Sequence, residues 1–255
     1  MSRHDLEWGG RTGGRLSATE EALLVLAAAV ALVRERLPRS RSAVDLVVAE
    51  QPPDSLFARR CLAALTAPHE VGGDGGGDGP AGWDVMVGGL GLGYTARTVL
   101  EDDRVASLTV VETLAEVIAW HVDGLLPGGT ELAGDPRTRL LRGDFFALAR
   151  DAAGLDPDAP GRLFDAVLVD IDHTPEHLLH PSHGDLYSPA GLLRVARSIR
   201  PGGVFGLWSD DPPHPRVEAL LEDVFHDRSS HVVDFANHLT GGRSACTVYL
   251  GRVAG

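Results

Sequence analysis

From Trp83 onward short apolar runs alternate with helix-like segments. Runs at 84–87, 107–111, 139–142, 166–170 and 204–208 read as strands, and 94–100, 114–125, 146–152, 190–199 and 215–224 as helices. Strands that are apolar at nearly every position must be covered on both faces. The alternation therefore predicts a mostly parallel α/β sheet with helices on each side. The tail breaks the pattern. HVVDFAN and SACTVYLGRV, separated by the turn-like HLTGGR, predict an antiparallel hairpin at the sheet edge, for seven strands in all.

Two glycine clusters stand close together, Gly75-Gly76-Gly77-Asp78-Gly79 and Gly88-Gly89-Leu90-Gly91-Leu92-Gly93. A ligand-cradling glycine loop needs a strand before it and a helix after it, so that backbone and helix terminus meet the ligand. The first cluster has neither and reads as part of a flexible linker, 72–82. The second has both, WDVMV before it and YTARTVL after it. Glu112, 24 positions after Gly88, ends the next strand, where a carboxylate suits a ribose diol. Asp144 ends the third strand and Asp170 and Asp172 the fourth, on the side where open α/β sheets bind ligands.

Residues 1–71 are expected to form a helical and strand extension that caps the substrate, with 83–255 as the nucleoside-binding domain. Ser17-Ala18-Thr19-Glu20 reads as a capping box, its helix ending before Pro38, and Asp54 as the cap of a helix to about residue 67. The net charge of −13 argues against nucleic-acid partners, and all 23 cationic Lys and Arg residues are Arg, which excludes lysine Schiff-base or P-loop chemistry. The most apolar run, ALLVLAAAVALV, is too short for a membrane span, which needs about 20 residues. Cys61 and Cys246 fit no metal or redox spacing, and with no leader sequence the expected location is the cytoplasm.

MVGGLGLGYTARTVL, TVVE, RGDFF, FDAVLVDIDHTP, DLYSPAGLL and IRPGGVFGLW follow one another in the order found in the class I S-adenosylmethionine-dependent transferases. Over roughly 83–210 the chain resembles their spermidine synthase-like branch. The resemblance implies the Rossmann-like class I methyltransferase fold and S-adenosylmethionine as cofactor, with S-adenosylhomocysteine as product. Gly88, Gly89, Gly91 and Gly93 would then pack on the methionine and ribose portion. Glu112, followed by Thr113, would hold the ribose hydroxyls and Asp144 the adenine, with Leu114 and Phe145 flanking the base. Family habit also implies a homodimer.

Three departures bear on the reaction. Aminopropyltransferases carry an acid inside the glycine loop, where this chain has Gly91. Their Asp-Ser-Ser-Asp-Pro-like stretch reads Asp170-Ile171-Asp172-His173-Thr174-Pro175 here, and their amino-terminal β-rich domain is not recognisable. The expected activity is accordingly methyl transfer to a small-molecule or peptide acceptor. The alternatives are aminopropyl or aminocarboxypropyl transfer, a non-catalytic nucleoside-binding protein and, on the glycine loop alone, a nicotinamide-dependent oxidoreductase.

Asp170 is expected to contact the cofactor, and Asp170 or Asp172 to orient the acceptor or take its proton, with His173 behind them. Tyr187, Trp208 and Ser209 are placed at the acceptor side, and Glu20 or Glu21 reaches it from the amino-terminal arm. His173, His177, His180 and His183 crowd one segment, but Pro175 and Pro181 interrupt it, so it reads as a lid loop and no metal site is expected. Trp120 and His121 read as helix packing residues.

Overall fold

The computed structural model describes residues 53–67, 82–171, 178, 180–237 and 242–255. The capping box, Glu20, Glu21, most of the glycine-rich linker, Asp172, His173 and His177 lie outside them.

In chain order the described elements are α1 (Pro53–Thr66), β1 (Trp83–Gly88), α2 (Tyr94–Leu100), β2 (Val105–Glu112), α3 (Ala115–Val122) and α4 (Gly129–Gly134). There follow β3 (Thr138–Arg142), α5 (Phe145–Arg150), β4 (Phe164–Val169), a 3-10 turn (Pro181–Asp185), α6 (Pro189–Ala196), β5 (Ile199–Ser209), α7 (Pro215–Glu222), β6 (His226–Asn237) and β7 (Gly242–Arg252).

The seven strands form one sheet in the order β3-β2-β1-β4-β5-β7-β6. The pairs β2–β3, β1–β2, β1–β4 and β4–β5 are parallel, while β7 runs antiparallel to both β5 and β6. The chain order turns back between β1 and β4, and such a reversal opens a crevice at the carboxyl ends of the strands. Five parallel strands and a reversed hairpin are thus present as expected. Several boundaries differ, two of them with consequences for the architecture. β5 begins at Ile199, so Pro201-Gly202-Gly203 lies inside the strand at an irregular register with β4 instead of before it. The third helix stops at Val122, and α4 occupies sequence expected as loop, opened by Gly128 in the left-handed conformation.

Local chemistry sets the helix starts. Ser188 and His214 accept from the amides of Gly191 and Arg216, each followed by a proline that needs no donor partner at that position. One core cluster joins Met86, Phe164, Phe205 and Tyr249 of the sheet to Phe146, Leu192 and Leu221 of α5, α6 and α7. On α1, Phe57 and Cys61 are buried where a side chain at Gly206 of β5 would collide with both. Each large apolar side chain so buried contributes about 1.5–3 kcal/mol before entropy is counted.

At the amino ends of the strands a charge network ties the sheet together. Arg162 donates to Asp84 (3.2 Å), Ser107 (2.8 Å) and Asp156 (3.2 Å), while Arg200 bridges Asp84 (3.0 Å) and Asp165 (2.8 Å). Burial alone would raise both Asp84 and Asp156. It is outweighed at Asp84 by the Ser107 hydroxyl, Arg200 and Arg162, and at Asp156 by Arg139 and Arg162, so both carboxyls lie below their usual value of 3.8. A carboxyl more acidic in the folded than in the unfolded chain stabilises the fold above pH 3.8 and loses that contribution as pH falls through the folded value. Urea midpoints should therefore fall steeply below about pH 4, corresponding to roughly 1–3 kcal/mol, and a flat profile there would contradict the network.

Candidate donor site

The corner after β1 is built around glycines. Gly89 has φ +93°, and a Cβ there would stand 2.1 Å from the Asp170 carbonyl oxygen at the end of β4. Gly93, with φ +79°, opens α2, and its missing Cβ leaves room for the His121 ring at 2.7 Å. Gly91, at φ +47°, has nothing within 4 Å of where a Cβ would be. Gly88 makes way for the Phe145 ring, 2.8 Å from its missing Cβ. Short bonds lock the turn: the Gly89 amide donates to Val111, the Gly93 amide to Leu90 and the Asp170 amide to Gly88, at 2.7–2.9 Å.

Glu112, last residue of β2, turns its carboxylate onto this corner. Its Oε2 accepts from the Leu90 amide at 3.1 Å and its Oε1 from the Leu114 amide at 2.8 Å. One acid thus links the glycine loop to the start of α3, and each oxygen retains a second lone pair. Beside it, exposed Thr113 donates to the Gly143 carbonyl at 3.1 Å, and Leu114 is half-buried.

Asp144, at the end of β3, caps α5, and Oδ1 accepts from both the Phe146 and Ala147 amides at 2.9 and 3.1 Å. Phe145 is 2 % exposed and forms a wall beneath Gly88, presenting little open ring face. The neighbouring Phe146 stacks on His183 at 3.7 Å between ring centroids. Burial holds His183 below its usual pKa, with Asp144 opposing and His180 and Arg150 adding to the effect. His180 caps the 3-10 turn through the Ser182 amide. No group of three or more His, Cys, Asp or Glu side chains is placed to hold a metal among the described residues.

Asp170 is held from several directions. Its backbone meets Gly88 and Gly89, and its Oδ2 accepts from the Thr95 hydroxyl of α2 at 2.5 Å. Burial, and then the negative charge of Asp170, push the Cys61 thiol well above its usual pKa, so this cysteine is an unreactive packing residue of α1. Tyr187, Trp208 and Ser209 are all buried. The Trp208 indole donates to Asp210 at 3.0 Å and its ring lies 6.0 Å from that of Phe57, while the Asp211 amide reaches Ser209 at 3.5 Å.

Two neighbours of the site escape sequence reasoning. Thr95 stands 75 positions from Asp170, and His121 stands 30 from Gly91, whose carbonyl lies 3.0 Å from its Nε2. The trace in the sequence is a histidine on the apolar face of α3 and a threonine on the buried face of α2, which Thr98 shares. A groove between α7 and β6 is a separate feature. Its walls include Glu218 and Glu222, already bonded to Ser230 and Arg228.

No family model matches the sequence, and no curated protein matches it. Solved structures do. A spermidine synthase in complex with the transition state analogue AdoDATO superposes with a TM-score of 0.56 at 16% identity, over 80% of this chain and 59% of that one. Spermidine synthase from Thermotoga maritima gives 0.52 at 18%, over 68% and 54% respectively. The chain has the spermidine synthase fold, the Rossmann-like class I methyltransferase architecture. It spans between 54% and 59% of the length of these two enzymes. At this identity the likeness is one of fold, and what the site does must be argued from its own residues.

Proposed function

We propose that the corner between Gly88 and Tyr94 binds S-adenosylmethionine and that the protein transfers its methyl group to a small-molecule or peptide acceptor. The observation that carries this reading is the meeting of the glycine loop with Glu112, whose carboxylate lies 3.1 Å from the Leu90 amide. Left-handed glycines at 89, 91 and 93 bring bare backbone to a ligand, and the unfilled space at Gly91 fits an adenosyl donor whose amino-acid end carries a carboxylate. An acid at that position would repel such a carboxylate.

In this reading Glu112 accepts from the ribose hydroxyls through its remaining lone pairs, and Leu114 and Phe145 border the adenine. Asp144 takes the adenine amine through Oδ2, which makes no hydrogen bond among the described residues. When bound, the sulfonium supplies a methyl group that is already activated. The protein's part is alignment, which contributes effective molarities of about 10⁵–10⁸ M in favourable cases. Thr95 fixes the carboxylate of Asp170 at the mouth, where Asp170, with Asp172 and His173, orients the acceptor and takes its proton if it is an amine or a hydroxyl. Tyr187, Trp208 and Ser209 support the acceptor side from behind.

Aminopropyl transfer is the second reading, favoured by the two spermidine synthases of the same fold. Incubation with methyl-labelled donor separates the two. Label in the acceptor supports methyl transfer, whereas labelled 5′-methylthioadenosine supports transfer of the propyl chain, aminocarboxypropyl from S-adenosylmethionine itself and aminopropyl from its decarboxylated form. Replacing Glu112 by Ala is expected to weaken S-adenosylhomocysteine binding by about 2 kcal/mol, since ribose and loop lose the same acceptor. Calorimetry that finds unchanged affinity would remove the assignment.

A further inference from the structure

His121 belongs to α3, yet its ring is wholly buried against the glycine corner. Its Cε1 lies 2.7 Å from where a Gly93 Cβ would stand, and its backbone 2.8 Å from the corresponding point at Gly129. Nε2 stands 3.0 Å from the Gly91 carbonyl oxygen. A carbonyl only accepts, so this bond requires the hydrogen on Nε2. In the neutral ring Nδ1 is then a bare acceptor, and it has no partner among the described residues. Burial favours the neutral ring, and Arg97 acts in the same direction, while the Gly91 carbonyl and Glu112 oppose them. A buried acceptor left unmet is a standing cost that an apolar residue of similar size would avoid. What histidine adds at this position is the Nε2 donor.

The peptide joining Gly91 to Leu92 is trans, so the Leu92 N–H points opposite to the Gly91 carbonyl. With that carbonyl turned onto His121, the N–H faces the other way, on a loop whose residues 91 and 92 are exposed. It makes no hydrogen bond among the described residues. We infer that His121 is a positioning residue whose Nε2–H holds this peptide so that the Leu92 amide receives the carboxylate of the bound donor. The inference rests on the proposed donor site.

Calorimetry on the full chain with two probes tests it. S-adenosylhomocysteine carries the amino-acid carboxylate, and 5′-methylthioadenosine lacks it. His121→Phe should weaken the first by about tenfold, the order expected for a charge-assisted hydrogen bond. It should change the second by less than about threefold. His121→Leu repeats the comparison should the larger ring fail to fit the wedge. Equal losses for both probes, or none for either, would overturn the positioning role while leaving the donor site standing. Failure of the wild-type protein to bind S-adenosylhomocysteine would instead overturn the donor site, and this inference with it. Ring nitrogen-15 shifts of the wild-type protein give an independent readout: an Nε2–H tautomer is expected, and an Nδ1–H tautomer would be decisive against the role.

Discussion

Gly89→Ala is expected to cost about 4 kcal/mol of stability and to abolish donor binding. Two effects add. A residue with a side chain held at φ +93° is strained by about 1–3 kcal/mol. The new Cβ would also stand 2.1 Å from the Asp170 carbonyl oxygen, so β1 and β4 must separate at their tips, and overpacking of this kind costs about 1–3 kcal/mol. That separation would pull Asp170 from Thr95 and shift the loop away from Glu112. Gly91→Ala is the control, since its Cβ meets nothing within 4 Å and φ +47° is a left-handed position costing about 1–2 kcal/mol. Denaturation midpoints for the pair, with S-adenosylhomocysteine titrations, would check both. Equal losses of stability from the two substitutions would show that strand-tip contact does not govern the corner.

Arg162→Ala is expected to destabilise the fold by about 3 kcal/mol without changing donor affinity in the molecules that remain folded. The guanidinium serves Asp84, Ser107 and Asp156, and Asp156 is only 1 % exposed. Removing it leaves buried negative charge with fewer partners. Arg139 and Arg200 still serve Asp156 and Asp84, which holds the loss toward the lower end for a broken buried pair. The acid-induced loss of stability below about pH 4 should shrink in the same variant, because the carboxyls would be less acidic in the folded state. A shift of less than about 1 kcal/mol in urea would mean that the network behaves as a surface feature.

The parallel core could be read from the sequence because periodicity and burial coincide there. Val85, Val87, Leu108 and Val110 are all buried strand residues in apolar runs. The class of corner was readable for the same reason, since WDVMV and YTARTVL bracket the glycines. What could not be read is which partner each polar group meets. Asp144 looks the same in sequence whether it caps a helix or takes a ligand, and in the fold its Oδ1 caps α5. Trp208 and Ser209 read as acceptor-side residues because they end the fifth strand there, and pairing with β7 buries both. Thr95 meets Asp170, and His121 meets the glycine loop, through tertiary contacts spanning 75 and 30 positions, beyond any local pattern.

The placement of β7 between β5 and β6 governs the order in which the sheet can be assembled. β6 leaves the ribosome before the strand that joins it to the rest, so it has no seat on the parallel strands until Gly242–Arg252 arrives. Up to that moment β5 keeps an open edge that another nascent chain can mispair with. Completion of this half of the molecule is therefore set by one late, long-range docking event and not by successive addition of neighbours.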